Sequence, residues 1–289
     1  MSLDLITNVV VAGVLTGLVY GLMALGLSVI FGVVRVVNFA HGEMMTIAMY
    51  AATVLFAALK LDPFLCIVPI ATAFFVFGYA LQTALINPFI TRPEHSQFML
   101  LVAVAIILVN GMLMVFGPDA RNVQLDYQLE SFEIGKILID KARFYAALVA
   151  VVTAAALFAF FKFSLTGKAI RACADNYFGA KVVGLNIKHL YALTFGIGAV
   201  CVAVAGCVMV LLVDVTPPLG PYYTLLAFVI VIVGGLGSMG GALLGGILIG
   251  VSEALAGLFI APSAKSMFSF GLLILVLLFR PQGLLGKRS

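Results

Sequence analysis

Four side chains stand out in this sequence because they are polar where almost everything around them is not. Asn38, His41 and Glu43 sit in the short run Asn-Phe-Ala-His-Gly-Glu, and Glu253 stands alone in an apolar stretch. Ionisable groups in such settings are costly unless they face a bundle interior or a watery path, so these residues, with the intervening Gly42, are candidates for contacting a polar solute. What they offer is binding, not bond-breaking. Neither His41 nor His189 has a second ligand at helical spacing, and Cys66, Cys173, Cys201 and Cys207 form no CxxC pair, so no metal site is expected. GxSxG, HExxH and GxxxxGK[ST] are absent, which leaves no catalytic residue to name and no phosphate loop or cofactor of the chain's own. Without such a loop the chain cannot draw on ATP by itself.

The elements that must position these groups are membrane helices. Hydrophobic residues make up 64% of the 289 and charged residues 10%, far from the balance of a soluble domain. With about 20 apolar residues as the spanning length, runs appear at 9–34, 44–59, 64–86, 98–117, 144–161, 189–213, 222–259 and 267–279. They predict an all-α polytopic membrane protein of about eight transmembrane helices in one domain, 1–289. The first run is too long for a signal-peptide core and follows Asp4, not a basic leader, so it reads as a retained span.

Loop charges suggest the orientation. Lys162, Lys168, Arg171, Lys181 and Lys188 face a single acid, Asp175, between 161 and 189, and Arg280, Lys287 and Arg288 follow the last run. Both segments are expected on the cytoplasmic side. Counting back places the N-terminus outside and makes 118–143, with its nearly balanced charge (Lys136 among its bases), an external loop. The formal net charge of +4 reports this orientation, not a nucleic-acid partner.

Two stretches leave room for broken helices. The run 222–259 is too long for one helix, and Gly234, Gly235, Gly237 and Gly241 are the natural place to divide it. Gly237, Gly241 and Gly245 recur every fourth residue, with Gly246 and Gly250 one step round, which suits close helix packing. At 38–43 two placements are open. Counting makes it a cytoplasmic surface turn. Yet 9–34 is longer than a span needs and 44–59 is shorter, so the chain could instead break within the membrane and start a half-helix near Gly42. The free N–H groups of such a half-helix would suit a zwitterionic solute. Glu253 has a similar pair of readings, one facing the bundle interior and one reaching water at the external end.

Four segments carry a resemblance: 37–50 (VNFAHGEMMTIAMY), 166–195 (TGKAIRACADNYFGAKVVGLNIKHLYALTF), 228–253 around the glycines, and 279–286 (FRPQGLLG). In order and spacing the chain resembles the permease subunits of branched-chain amino acid ABC importers. The resemblance implies a bacterial inner-membrane importer with a second related permease, two cytoplasmic ATPase subunits that carry ATP and Mg, and an extracytoplasmic solute-binding protein. It makes 162–188 the coupling region, with Arg171, Ala172, Ala180, Lys181 and Gly184 as its docking positions, and it moves Asn38, His41, Gly42 and Glu43 toward a buried, path-lining role. By composition, 169–183 can form amphipathic helix, stopped at Gly184 and Asn186, and a helix lying on anionic lipid is the competing reading. A strict Glu-Ala-Ala coupling signature is missing. Urea and short-amide importers share these motifs, and a stand-alone secondary carrier is the alternative from another class; a carrier should show matched halves, and no internal sequence repeat is evident.

Overall fold

The computed structural model describes residues 3–90, 92–135, 137–261 and 265–286; Lys136, Lys287 and Arg288, used above for loop charge, lie outside the described residues. The chain is an all-α polytopic membrane protein. In order it forms α1 (Leu3–Val34), α2 (His41–Leu59), α3 (Pro63–Leu81), α4 (Glu94–Phe116), α5 (Lys141–Phe163), α6 (Leu165–Asp175), α7 (Tyr177–Val182), α8 (Ile187–Met209), α9 (Leu219–Gly234), α10 (Met239–Phe259) and α11 (Lys265–Phe279). Seven helices are long and apolar enough to cross a membrane, and α9 and α11 are shorter apolar helices. These nine are the eight apolar runs with 222–259 divided at the glycines, as expected, into α9 and α10, against the stated count of about eight. A short antiparallel hairpin, β1 (Ser131–Ile134) with β2 (Ile137–Asp140), precedes α5.

Helix boundaries follow local chemistry. Asp62, Asp140, Ser164, Asn176, Asn186 and Ser238 each cap the helix that follows by accepting a backbone N–H with the side chain. Asn176 has an extended backbone, so 169–183 is two helices, not one amphipathic helix. Gly184, at φ 85°, then ends the second of them.

α1 and α8 form the centre, with α10 along one side of α1 and α2 and α3 against α8. The α1–α10 seam is built from glycine. Gly13, Gly17 and Gly21 of α1 face Gly246, Gly250 and Ala254 of α10, and a Cβ on Gly250 would stand 2.5 Å from the Gly13 carbonyl oxygen. α10 uses its other glycines elsewhere: Gly241 lies on Gly234, and Gly245 on the Ile230 carbonyl, both in α9. The glycines thus serve two neighbours from two faces. Gly237 is not on either face, since it precedes α10 in the turn, at φ 75°, where it meets Gly32.

That turn is closed by the segment after α11. Leu284 N–H donates to Val233 O and Leu285 N–H to Gly234 O, both at 2.9 Å, which satisfies carbonyls left free at the end of α9. Gly235, at φ 107°, leaves space that the backbone of Gly286 fills.

Candidate functional site

The break at 35–40 lies inside the bundle, not at its surface. α1 runs on to Val34, and the chain then doubles back so that His41 Nε2 bonds Met23 O at 2.9 Å. Met23 is eleven residues before the end of α1, about 16 Å along its axis. α2 therefore begins well within the span, and the surface turn at 38–43 gives way to the half-helix. A carbonyl only accepts, so Nε2 carries the imidazole proton; Nδ1 has no partner among the described residues.

A second helix starts at the same depth. Thr224 is ten residues before the end of α9, about 15 Å along it. Its hydroxyl accepts from Gly42 N–H at 2.8 Å and donates to Glu43 Oε2 at 2.7 Å, with the Phe39 carbonyl farther away at 3.3 Å. The first turns of α2 and α9 touch there. A Cβ on Gly220 would stand 3.0 Å from Glu43 Cα, and one on Gly42 would fall onto the Gly220 carbonyl and the Thr224 amide. Two glycines and one threonine thus hold two helix N-termini together around a carboxyl group.

Asn38 and His41 are fully buried and Glu43 is 3% exposed. Asn38 Oδ1 accepts from Ala40 N–H at 3.0 Å, which shapes the turn into α2. Glu253, 5% exposed, belongs to a separate cluster: its Oε1 accepts from Ser269 Oγ of α11 at 2.7 Å, and Tyr20 and Tyr222 reach the same carboxyl group. It faces the bundle interior. The two carboxyl groups flank the start of α9, Glu43 through Thr224 and Glu253 through Tyr222, and the structure does not bring them together. Thr224, Tyr20, Tyr222 and Ser269 were missed in the sequence because hydroxyls are unremarkable in apolar helices.

At the end of the bundle that carries α6 and α7, a cavity of about 1400 Å³ opens between α1, α4, α6, α9 and the segment after α11. Arg35 and Arg171 stand on its wall, and Phe39 lies at its inner end against Phe98 and Phe228, with ring centroids 4.6 and 5.0 Å apart. Beside it, α6 and α7 project from the bundle. Arg171, Ala172, Lys181 and Gly184 are exposed, whereas Ala180 is buried at 4%. The outward face of α7 is apolar, with Phe178 76%, Val182 80% and Val183 74% exposed. Cys173 points inward, and burial pushes its thiol pKa up, opposed by a hydrogen bond with Tyr191, so it stays a neutral packing group.

The chain is 32% identical over 292 residues to the high-affinity branched-chain amino acid transport system permease protein BraD of Pseudomonas aeruginosa, covering 96% of this chain and 94% of the relative. It is 31% identical over 297 residues to the corresponding permease protein LivH of Salmonella typhimurium, covering 95% and 94%. Among solved structures, PsaBC from Streptococcus pneumoniae in complex with Fab aligns over 96% of this chain and 92% of that chain at 13% identity and a TM-score of 0.47. Residues 9–277 match the family described as branched-chain amino acid transport system / permease component, and the chain belongs to that family.

Proposed function

We propose that this chain is the membrane-spanning subunit of an ATP-driven importer for branched-chain or other small hydrophobic amino acids, set in the bacterial inner membrane. Its partners are a second permease chain, two cytoplasmic ATPase subunits that hold ATP and Mg, and an extracytoplasmic binding protein. The N-terminus lies outside and the segment after α11 in the cytoplasm, so that 118–143 is external and 162–188 cytoplasmic. Seven long and two shorter apolar helices support termini on opposite sides.

The observation that carries the coupling role is the apolar face of α7, which sits outside the spanning helices yet exposes Phe178 and Val182 almost fully. Such a face, flanked by Arg171 and Lys181, suits insertion into a groove of a soluble partner. The docking contact therefore centres on Phe178, Val182 and Val183; Ala180 supports it from beneath. ATP-driven closure of the ATPase pair pulls α7, and α8 follows because Asn186 caps it directly after the Gly184 turn. The second permease covers α4, whose Asn110 is exposed within an apolar helix and bonds only its own helix, at Ile106 O among the described residues.

For the solute we assign the meeting point of α2 and α9. Gly42 N–H, the Thr224 hydroxyl and two helix N-termini suit a carboxylate, and Glu43 suits an ammonium group. Asn38 and His41 shape this site, and Glu253 braces α9 from its other side.

Phe178→Asp tests the coupling contact. The expected result is a loss of copurifying ATPase and of leucine uptake by about tenfold or more, with membrane levels of the chain unchanged. Leucine uptake by this chain alone in liposomes under an ion gradient would overturn the importer reading, and uptake of urea in place of leucine would redirect it to amides.

A further inference from the structure

We infer that Phe39 is a gate residue, closing the cavity at the α6–α7 end off from the polar junction of α2 and α9. The inference rests on the solute site proposed above only for its purpose; the barrier itself is a matter of geometry.

One face of α9 gives the order of events. Ile232 lines the cavity, Phe228 lies one turn deeper, and Thr224 one turn deeper again, so the three mark a line about 12 Å long. Phe228 is the middle position, and there it meets Phe39, whose ring also packs edge-on against Phe98 of α4. Phe39 belongs to both compartments. It lines the cavity, while its carbonyl lies 3.3 Å from the Thr224 hydroxyl. Behind it Thr224, Gly42 and Glu43 are buried and none of them borders the cavity. Three rings from three separate elements thus form the partition.

The partition is also movable by construction. Phe39 sits in the non-helical stretch between α1 and α2, where no helix ladder fixes its backbone, and Phe98 is 45% exposed on a helix whose main contact among the described residues is with α2. A small displacement of α4 removes one of the three rings. The α1–α10 seam permits no comparable shift.

Thiol accessibility tests this in the full chain, in membrane vesicles open to the α6–α7 side, after Cys66, Cys173, Cys201 and Cys207 have been replaced. Leu236→Cys, on the cavity wall and 50% exposed, should react quickly with a small membrane-impermeant thiol reagent. Thr224→Cys and Thr46→Cys, the latter fully buried one turn past Gly42 with its hydroxyl on the Gly42 carbonyl and off the cavity wall, should react at least about tenfold more slowly, as groups reached only by local opening do. Adding Phe39→Ala should bring both toward the Leu236→Cys rate, and Phe39→Tyr should restore protection. Phe98→Ala is the second way to open the same partition if Phe39→Ala does not accumulate. Fast labelling of Thr224→Cys with Phe39 intact, or slow labelling in both alanine variants, overturns the gate. The readout needs no transport, so a failed leucine-uptake assay alongside the expected labelling pattern sinks the importer reading and leaves the gate standing.

Discussion

Two seams of this bundle are made from opposite materials. Between α1 and α10, the contact is mostly backbone on backbone: Gly13, Gly17 and Gly21 lie against Gly246, Gly250 and Ala254, with only the Ala254 methyl and the Leu243 side chain beside them. Between α4 and the rest, side chains make the contact: aromatic pairs near the ends of the helix, Phe98 on Phe39 at 4.6 Å and Phe116 on Tyr50 at 4.2 Å, flank buried Leu101, Val104, Ala105 and Met112, while Met114 is 87% exposed. Glycine seams gain from closeness, and they lose that gain with any displacement. Ring contacts tolerate sliding, since offset and edge-on arrangements are close in energy. The contrast assigns stiffness to the α1–α10 core and motion to α4 and the 35–40 break. The junction of α2 with α9 stands between the two, a hydrogen-bonded contact made tight by two glycines.

Substitutions graded along this contrast should give graded effects. The largest is expected from Gly246→Leu, since even a Cβ there would overlap the backbone of Gly21. The chain should fail to accumulate in membranes, at a cost of about 4 kcal/mol or more; normal abundance and an unchanged Tm in detergent would break the idea of a rigid seam. Thr224→Val comes next. It leaves the Gly42 N–H without its acceptor and Glu43 without its donor, which should lower stability by about 1–3 kcal/mol. Thr224→Ser should recover most of it, and a serine variant as weak as the valine one would mean that the methyl, not the hydroxyl, matters. The smallest effect belongs to Phe98→Leu, which keeps apolar volume but loses the edge-on ring contact, worth about 0.5–1.5 kcal/mol. Its Tm should barely move while the leucine uptake rate changes, and a collapse in abundance would place α4 among the stiff parts.

Much of the frame was legible in the sequence because membrane spans are written locally. Apolar runs located each long helix, and the glycines at 234–237 marked the divide between α9 and α10, since Gly235 (φ 107°) and Gly237 (φ 75°) take backbone forms that other residues resist. The α1 stripe Gly13, Gly17 and Gly21 was equally readable by the rule applied to Gly237, Gly241 and Gly245, and was overlooked. Length counting identified the short α2 but left its break between surface and interior. What settles that position is a bond from His41 to Met23 and another from Gly42 to Thr224, 182 residues away. Nothing local encodes such pairings. The same holds for Phe39, which reads as one apolar residue among many until Phe98 and Phe228 stand beside it. The positions proposed for coupling divided similarly: Arg171 and Lys181 lie outward as their charge suggests, while the burial of Ala180 depends on how α7 folds back toward α8.

The pairing of α1 with α10 also sets a timetable. Gly13 meets Gly250, so the inner partner of the first span is synthesised more than 200 residues after it. At about 5–20 residues per second, α1 waits in the membrane for roughly ten seconds to a minute with its glycine face bare. During that interval the stripe is a sticky surface looking for any small-residue helix, and α5 is the first long helix to arrive that packs against α1. Assembly of the stiffest part of the molecule is therefore among its latest events.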